Sequence, residues 1–156
     1  MMNVTMNKDM RLSEHFTLGE LTKTSLKTED GNIPSRVVIE NLRNLCENWL
    51  EDLRYSYNTL YHKGGVIINS GYRSPEVNRL AGGAPTSNHL TGCAVDIHVA
   101  GFEQAIRYAA ILLDISEGTK RDFDELYIER NSAGRYWIHF AVRPKGNRRR
   151  IGYLKG

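Results

Sequence analysis

The stretch from Ser70 to Ala100, SGYRSPEVNRLAGGAPTSNHLTGCAVDIHVA, decides how this chain folds. His89 lies in its Gly-rich loop, and Asp96 follows seven residues later inside an apolar alternating run. Alternation in CAVDIHVA predicts a strand with Val95, Ile97 and Val99 on one face and Ala94, Asp96 and His98 on the other. Asp96 therefore stands on the polar face of a strand whose back is core. Ahead of it, VIINSGYRS reads as a β-branched strand in which Gly71 marks a bulge or the close approach of another backbone. Ser74 and Pro75 open a short helix with proline at its first position, and Gly82 and Gly83 end it.

Working downstream, Phe102 to Glu117 predicts an amphipathic helix with Ile106, Ala109, Ala110 and Leu113 inward and Gly118 as its stop. FDELYIER and RYWIHFAV then read as two strands. A three-residue hairpin loop of Ser132, Ala133 and a left-handed Gly134 would pair Asn131 with Arg135, Glu129 with Trp137 and Tyr127 with His139. Glu129 and His139 would then share a face as diagonal neighbours. A loop one residue longer or shorter would turn Glu129 away.

Working upstream, the strongest helical signal opens at Pro34 and Ser35. Val38, Leu42, Leu45, Trp49 and Leu53 recur at three- and four-residue steps, with Cys46 and Leu50 widening the stripe. This predicts a core helix of about five turns, ending near Tyr57 and Asn58, with Lys63, Gly64 and Gly65 turning into the first strand. Thr17 and Glu20 have capping-box spacing at the start of a short helix that buries Leu18 and Leu21. The expected fold is α+β, a mainly antiparallel sheet of about four strands with helices packed on it. It forms a single domain over residues 14–143, between a flexible arm at 1–13 and a basic tail at 144–156.

The composition sets outer limits. A chain of 156 residues with 40% hydrophobic and 25% charged residues can bury a core without staples. No apolar run approaches the ~20 residues that span a bilayer, and MMNVTMNKDMRLSEHF lacks the apolar centre of a secretory signal. Cys46 and Cys93 form no CxxC pair and read as two buried thiols. The formal charge of +3 is concentrated late in the chain, in Arg143, Lys145, Arg148, Arg149 and Arg150. Such a run reads first as a solvated tail. Attraction to a polyanion, cell-wall polymer or nucleic acid, is the alternative. Nucleic acid is not the expected partner, and the chain is expected to be a monomer.

The chemistry-bearing residues are His89, Asp96 and His139, drawn from a loop and two strands. Two imidazoles and a carboxylate suit one zinc ion with a fourth position left open for water. As isolated residues they say little, because a lone histidine is more often a surface or core residue than a ligand. His98 shares the face of Asp96 and reads as an outer partner or a polar-face residue. His15 and His62 belong to no motif.

The surrounding text raises the odds. SGYRSPEVN, then SNHLTGCAVD, then aromatic-X-His in a late strand resembles the zinc D-alanyl-D-alanine peptidase family. That family includes cell-wall carboxypeptidases, dipeptidases and phage L-alanyl-D-glutamate endolysins, and it shares its fold with the hedgehog signalling domain. Its core pattern SxHxxGxAxD is complete here as Ser87, His89, Gly92, Ala94 and Asp96, and the resemblance runs from about His15 to Val142.

The resemblance implies a zinc peptidase acting on peptidoglycan stem peptides, of D,D-carboxypeptidase or L,D-endopeptidase type, with metal-bound water as nucleophile. It implies His89, Asp96 and His139 as ligands of one Zn2+, Arg73 at the substrate carboxylate or developing oxyanion, and Ser87 as a partner for bound peptide. Many members carry a carboxylate three residues before the last zinc histidine; here that position is Tyr136. Glu129 is the expected general base instead, with Glu125 and Asp124 as alternatives. A non-catalytic zinc-containing module that binds the cell wall is the rival reading. The expected setting is a phage or prophage lysis enzyme, cytoplasmic until released to the wall, or a periplasmic enzyme whose leader has been removed.

Overall fold

The computed structural model describes residues 6–61 and 64–156. The first five residues of the expected arm, and His62 and Lys63 before the first strand, lie outside that description. Five strands form one sheet: β1 (Ile68–Ser70), β2 (Ala94–His98), β3 (Glu125–Arg130), β4 (Tyr136–Ala141) and β5 (Arg150–Lys155). Their order is β1-β2-β4-β3-β5, antiparallel throughout except that β5 runs parallel to β3. The helices are α1 (Leu18–Leu21), α2 (Arg36–Leu45), α3 (Glu51–Leu60), α4 (Pro75–Leu80) and α5 (Phe102–Thr119). The architecture is α+β, as expected, with one more strand.

The hairpin decides where the site can form, and its register is the one the turn chemistry predicts. Gly134 is left-handed (φ 81°), and its N–H donates to the Asn131 carbonyl at 3.0 Å. Tyr127 pairs with His139 and Glu129 with Trp137. Because Asp96 pairs with His139, and Ser70 with Asp96, a single row crosses the sheet: Ser70, Asp96, His139, Tyr127 and, on β5, Gly152. The opposite face is apolar. Val95, Ile97, Leu126, Ile138 and Phe140 are buried there, and Trp49 of the long helix packs on Phe140 with ring centroids 5.0 Å apart.

That helix is α2 and α3 joined through a π-helical turn over Cys46–Leu50. Ser35 caps it, with Oγ accepting from the Val38 N–H, and every residue of the expected stripe is buried. From Arg36 to Leu60 it spans about seven turns rather than five, and Trp49 and Leu53 stay on the core side past Cys46. Both cysteines are free and buried.

Four expectations need correction. On α5 the buried face is Ala105, Tyr108, Ile111, Leu112 and Ile115, while Ile106 is about half exposed and Ala110 is exposed. Tyr108 packs edge-on against Tyr57 of α3 at 4.9 Å, and that contact rotates the helix away from its most aliphatic stripe. The helix also passes Gly118 and ends at Lys120, which is left-handed (φ 57°). The C-terminal arginines, finally, are no free tail. Arg150 to Lys155 make β5, and Arg149 reaches Glu117 and Asp122, each at 2.9 Å. At the other end Leu12 is fully buried and its N–H donates to the Phe16 carbonyl at 2.9 Å, which ties that segment onto α1. Among the described residues no helix is long and apolar enough to cross a membrane.

Candidate metal centre

Gly71 explains how the loop bearing His89 is held against the sheet. A Cβ on Gly71 would stand 2.2 Å from the Leu21 carbonyl oxygen, so only glycine lets α1 and the end of β1 meet. The Gly71 carbonyl is turned the other way and lies 2.6 Å from His89 Nδ1. It can only accept, so Nδ1 carries the proton and Nε2 presents a lone pair. His89 itself sits in a 3-10 turn, Asn88–Thr91. Ser87 caps that turn, its Oγ accepting from the His89 N–H at 3.1 Å.

His89 Nε2 lies 3.4 Å from Asp96 Oδ1, and His139 Nδ1 lies 3.2 Å from the same oxygen. The other nitrogen of His139, Nε2, is 2.9 Å from Glu125 Oε1. Each imidazole is thus held from behind by an acceptor, and each turns its remaining nitrogen towards Asp96. One ligand atom from each of His89, Asp96 and His139 lies within 4.8 Å of the other two. Three acceptors converging in a buried place repel unless a cation or proton stands among them.

The titration behaviour follows from that geometry. Burial alone would raise the Asp96 carboxyl, but hydrogen bonds with His139 and His89 outweigh it and hold the group well below the usual carboxylate range. Burial alone would lower His139, but Asp96 and Glu125 on its two sides push it up to about 9. The donor set, two imidazole nitrogens and a carboxylate oxygen with outer acceptors fixing both rings, fits a zinc ion.

Arg73 approaches from the α4 side. Its guanidinium donates to Asp96 Oδ2 at 3.1 Å and to Ser70 Oγ at 3.1 Å. Glu129 lies on the same face, with Trp137 Nε1 donating to its Oε2 at 2.6 Å. Burial pushes the Glu129 carboxyl above its ordinary value. Both residues, with Ser87, line a cleft of about 660 Å³ over the three candidate ligands.

The other two carboxylates are engaged differently. Glu125 is held low by its bond with His139, and Asn88 Nδ2 adds a second contact at 2.8 Å. Asp124 is fully buried behind the cleft, where Arg148 donates to both its oxygens and Asn88 to one. Glu125 therefore orients His139, and Asp124 anchors Asn88. His98 is exposed at the end of β2 beside Trp137 and does not join the cluster.

Several residues that shape the site have no sequence signal of their own. Asn88 bridges the two carboxylates, and the Tyr127 ring stacks on His139 at 5.6 Å with the planes 16° apart. Only the hairpin register points to Tyr127 and Trp137 as neighbours of His139 and Glu129.

A family model described as Peptidase M15 matches residues 14–125. The match takes in Arg73, Ser87, His89 and Asp96, while Glu129 and His139 lie beyond its end. No curated protein matches the sequence.

Proposed function

The chain belongs to the peptidase M15 family, and from that premise we propose that it is a zinc-dependent peptidase hydrolysing peptide bonds in peptidoglycan stem peptides. The bond type is that of a D,D-carboxypeptidase or an L,D-endopeptidase. One observation carries the reading: His89 Nε2 and His139 Nδ1 stand 3.4 and 3.2 Å from Asp96 Oδ1, with both imidazoles braced from outside. His89, Asp96 and His139 would hold the ion.

When bound, zinc supplies Lewis acidity, which polarises the scissile carbonyl and acidifies water. The chain's own residues do the rest. Glu129 is the general base. Trp137 fixes one of its oxygens, leaving the other to take the water proton and pass it to the departing amine. Its raised pKa, a consequence of burial, brings its basicity closer to neutral working pH. Arg73 keeps Asp96 Oδ2 engaged and offers its remaining N–H groups to the substrate carboxylate or developing oxyanion. Ser87, its oxygen already accepting from the His89 N–H, offers its hydroxyl proton to the bound peptide.

Incubation with muropeptides, read by mass spectrometry with and without chelator, tests this reading. Expected are defined peptide fragments that vanish when zinc is removed and return when it is restored. Zinc occupancy with intact muropeptides would instead leave the cell-wall-binding module.

A further inference from the structure

A second cavity, of about 690 Å³, opens at the end of the sheet. It lies where the turn at 99–101, between β2 and α5, faces the hairpin loop at 131–135, with Asn69 of the edge strand β1 on its border. Trp137 lines both this cavity and the metal cleft. The register explains why. Trp137 pairs with His98 on β2 and with Glu129 on β3. That row lies two residues along the strands from Asp96, His139 and Tyr127, on the same face. Two strand residues cover about 7 Å, so a group resting on Trp137 is one short step from the metal group. The indole is also held in place, since its Nε1 donates to Glu129 Oε2 at 2.6 Å.

The rest of the lining has a definite chemistry. Asn69, His98 and Arg135 are exposed, and Asn131 is half-buried. Asn131 Oδ1 accepts from the N–H groups of Ala133 at 3.0 Å and Arg135 at 2.9 Å, so its Nδ2 is what it has left to offer a ligand. Two amides, an imidazole and a guanidinium thus surround one aromatic ring, and among the described residues no carboxylate lines the cavity. The floor strands β2 and β4 are both interior, their backbone groups spent on neighbouring strands. A peptide cannot be held there by strand addition, and recognition falls to side chains. A pyranose ring suits what they offer. Its C–H face lies on the electron-rich face of an indole. Its hydroxyls and acetamido group pair with amides, imidazole and guanidinium, which supply donors and acceptors around the ring.

We propose that this cavity is a subsite for an N-acetylated hexosamine, the sugar that carries the stem peptide in peptidoglycan. The sugar ring rests on Trp137 with Asn69, His98 and Asn131 at its rim, while the attached peptide runs over His89, Asp96 and His139. The inference rests on the reading of the metal cleft as a site for stem peptides. It adds that the protein acts better on peptide still joined to its sugar than on the same peptide alone.

Matched stem peptides, with and without the N-acetylated disaccharide, are the probe. Zinc-loaded wild-type protein is expected to favour the sugar-bearing form by about tenfold in kcat/KM, mostly through KM. Asn69→Ala and His98→Ala should each reduce that ratio, and the double variant should bring it to about one. Cleavage of the sugar-free peptide should stay at the wild-type rate in all three, which also shows that they fold. A binding arm uses Glu129→Gln protein titrated with N,N′-diacetylchitobiose, with cellobiose as the control that lacks acetamido groups. The Trp137 indole N–H resonance should shift with the first sugar, and the shift should vanish when Asn69→Ala and His98→Ala are added.

Equal handling of the two peptide forms by wild type, or a preference that survives in the double variant, overturns the assignment. So does an equal loss on both forms, which would make the cavity a peptide subsite. Sugar binding that needs Asn69 and His98, without cleavage of either form, upholds the subsite and sinks the peptidase reading instead.

Discussion

Asp96 and Asp124 are both buried, both held well below the ordinary carboxylate range, and they serve opposite ends. Arg73 meets Asp96 Oδ2, but Oδ1 faces two imidazoles whose nitrogens can be neutral, so a metal ion can take the place of a proton among them. Arg148 is the main partner of Asp124, a permanent cation that meets both its oxygens, and Asn88 fills what is left. Asp96 Oδ1 faces two imidazoles with which it could share a metal ion, whereas both oxygens of Asp124 are closed by the chain itself. The difference teaches that burial and a depressed pKa do not by themselves mark a functional carboxylate. What marks it is whether one oxygen is left facing groups that a metal ion can join.

Substitutions that attack the first kind of site should cost function, and those that attack the second should cost stability. The largest effect belongs to the ligands. His89→Ala, His139→Ala and Asp96→Asn should each abolish stoichiometric zinc binding and reduce hydrolysis to background, measured by metal analysis and peptide cleavage in parallel. Glu129→Gln comes next. It should keep the metal and lower kcat by about 10²–10⁴-fold, the usual worth of a general base; full activity would remove Glu129 from the reaction. Glu125→Gln should weaken zinc by about 10–100-fold, as loss of an outer histidine partner does, without moving the scissile bond.

The smallest effect sharpens the other side of the contrast. Arg148→Ala should lower the melting temperature at neutral pH and leave zinc stoichiometry intact. The sign with pH follows from the Arg148 bond, which depresses the Asp124 carboxyl in the folded state. That contribution is complete above the unfolded carboxyl value, about 3.9, and is lost as pH falls through the lower folded value. The gap in melting temperature between wild type and Arg148→Ala should therefore narrow as the pH is taken below about 4. A gap that widens in acid would remove Asp124 as its cause.

The two regions were also unequally legible. Asp96 and its strand announce themselves by local alternation, Gly71 by its place in GYRS, and Glu129 by a hairpin whose turn residues set the register. All of these are short-range signals. Arg148 and Arg150 announce only charge, because β5 pairs with β3 across an intervening strand and loop, and nothing in RRRIGYLK specifies a parallel partner. The face of α5 was misread for the same reason. Ile106 is the more apolar residue, but the packing of Tyr108 on Tyr57, far away in the chain, decides which side turns in.

The most direct measurement is X-ray absorption at the zinc edge on protein loaded with the metal, combined with its stoichiometry. One zinc per chain, with two imidazole nitrogens and carboxylate oxygen in its first shell and no sulfur, is the predicted result. A protein that takes up no zinc, or takes it up equally well as His139→Ala, would contradict it.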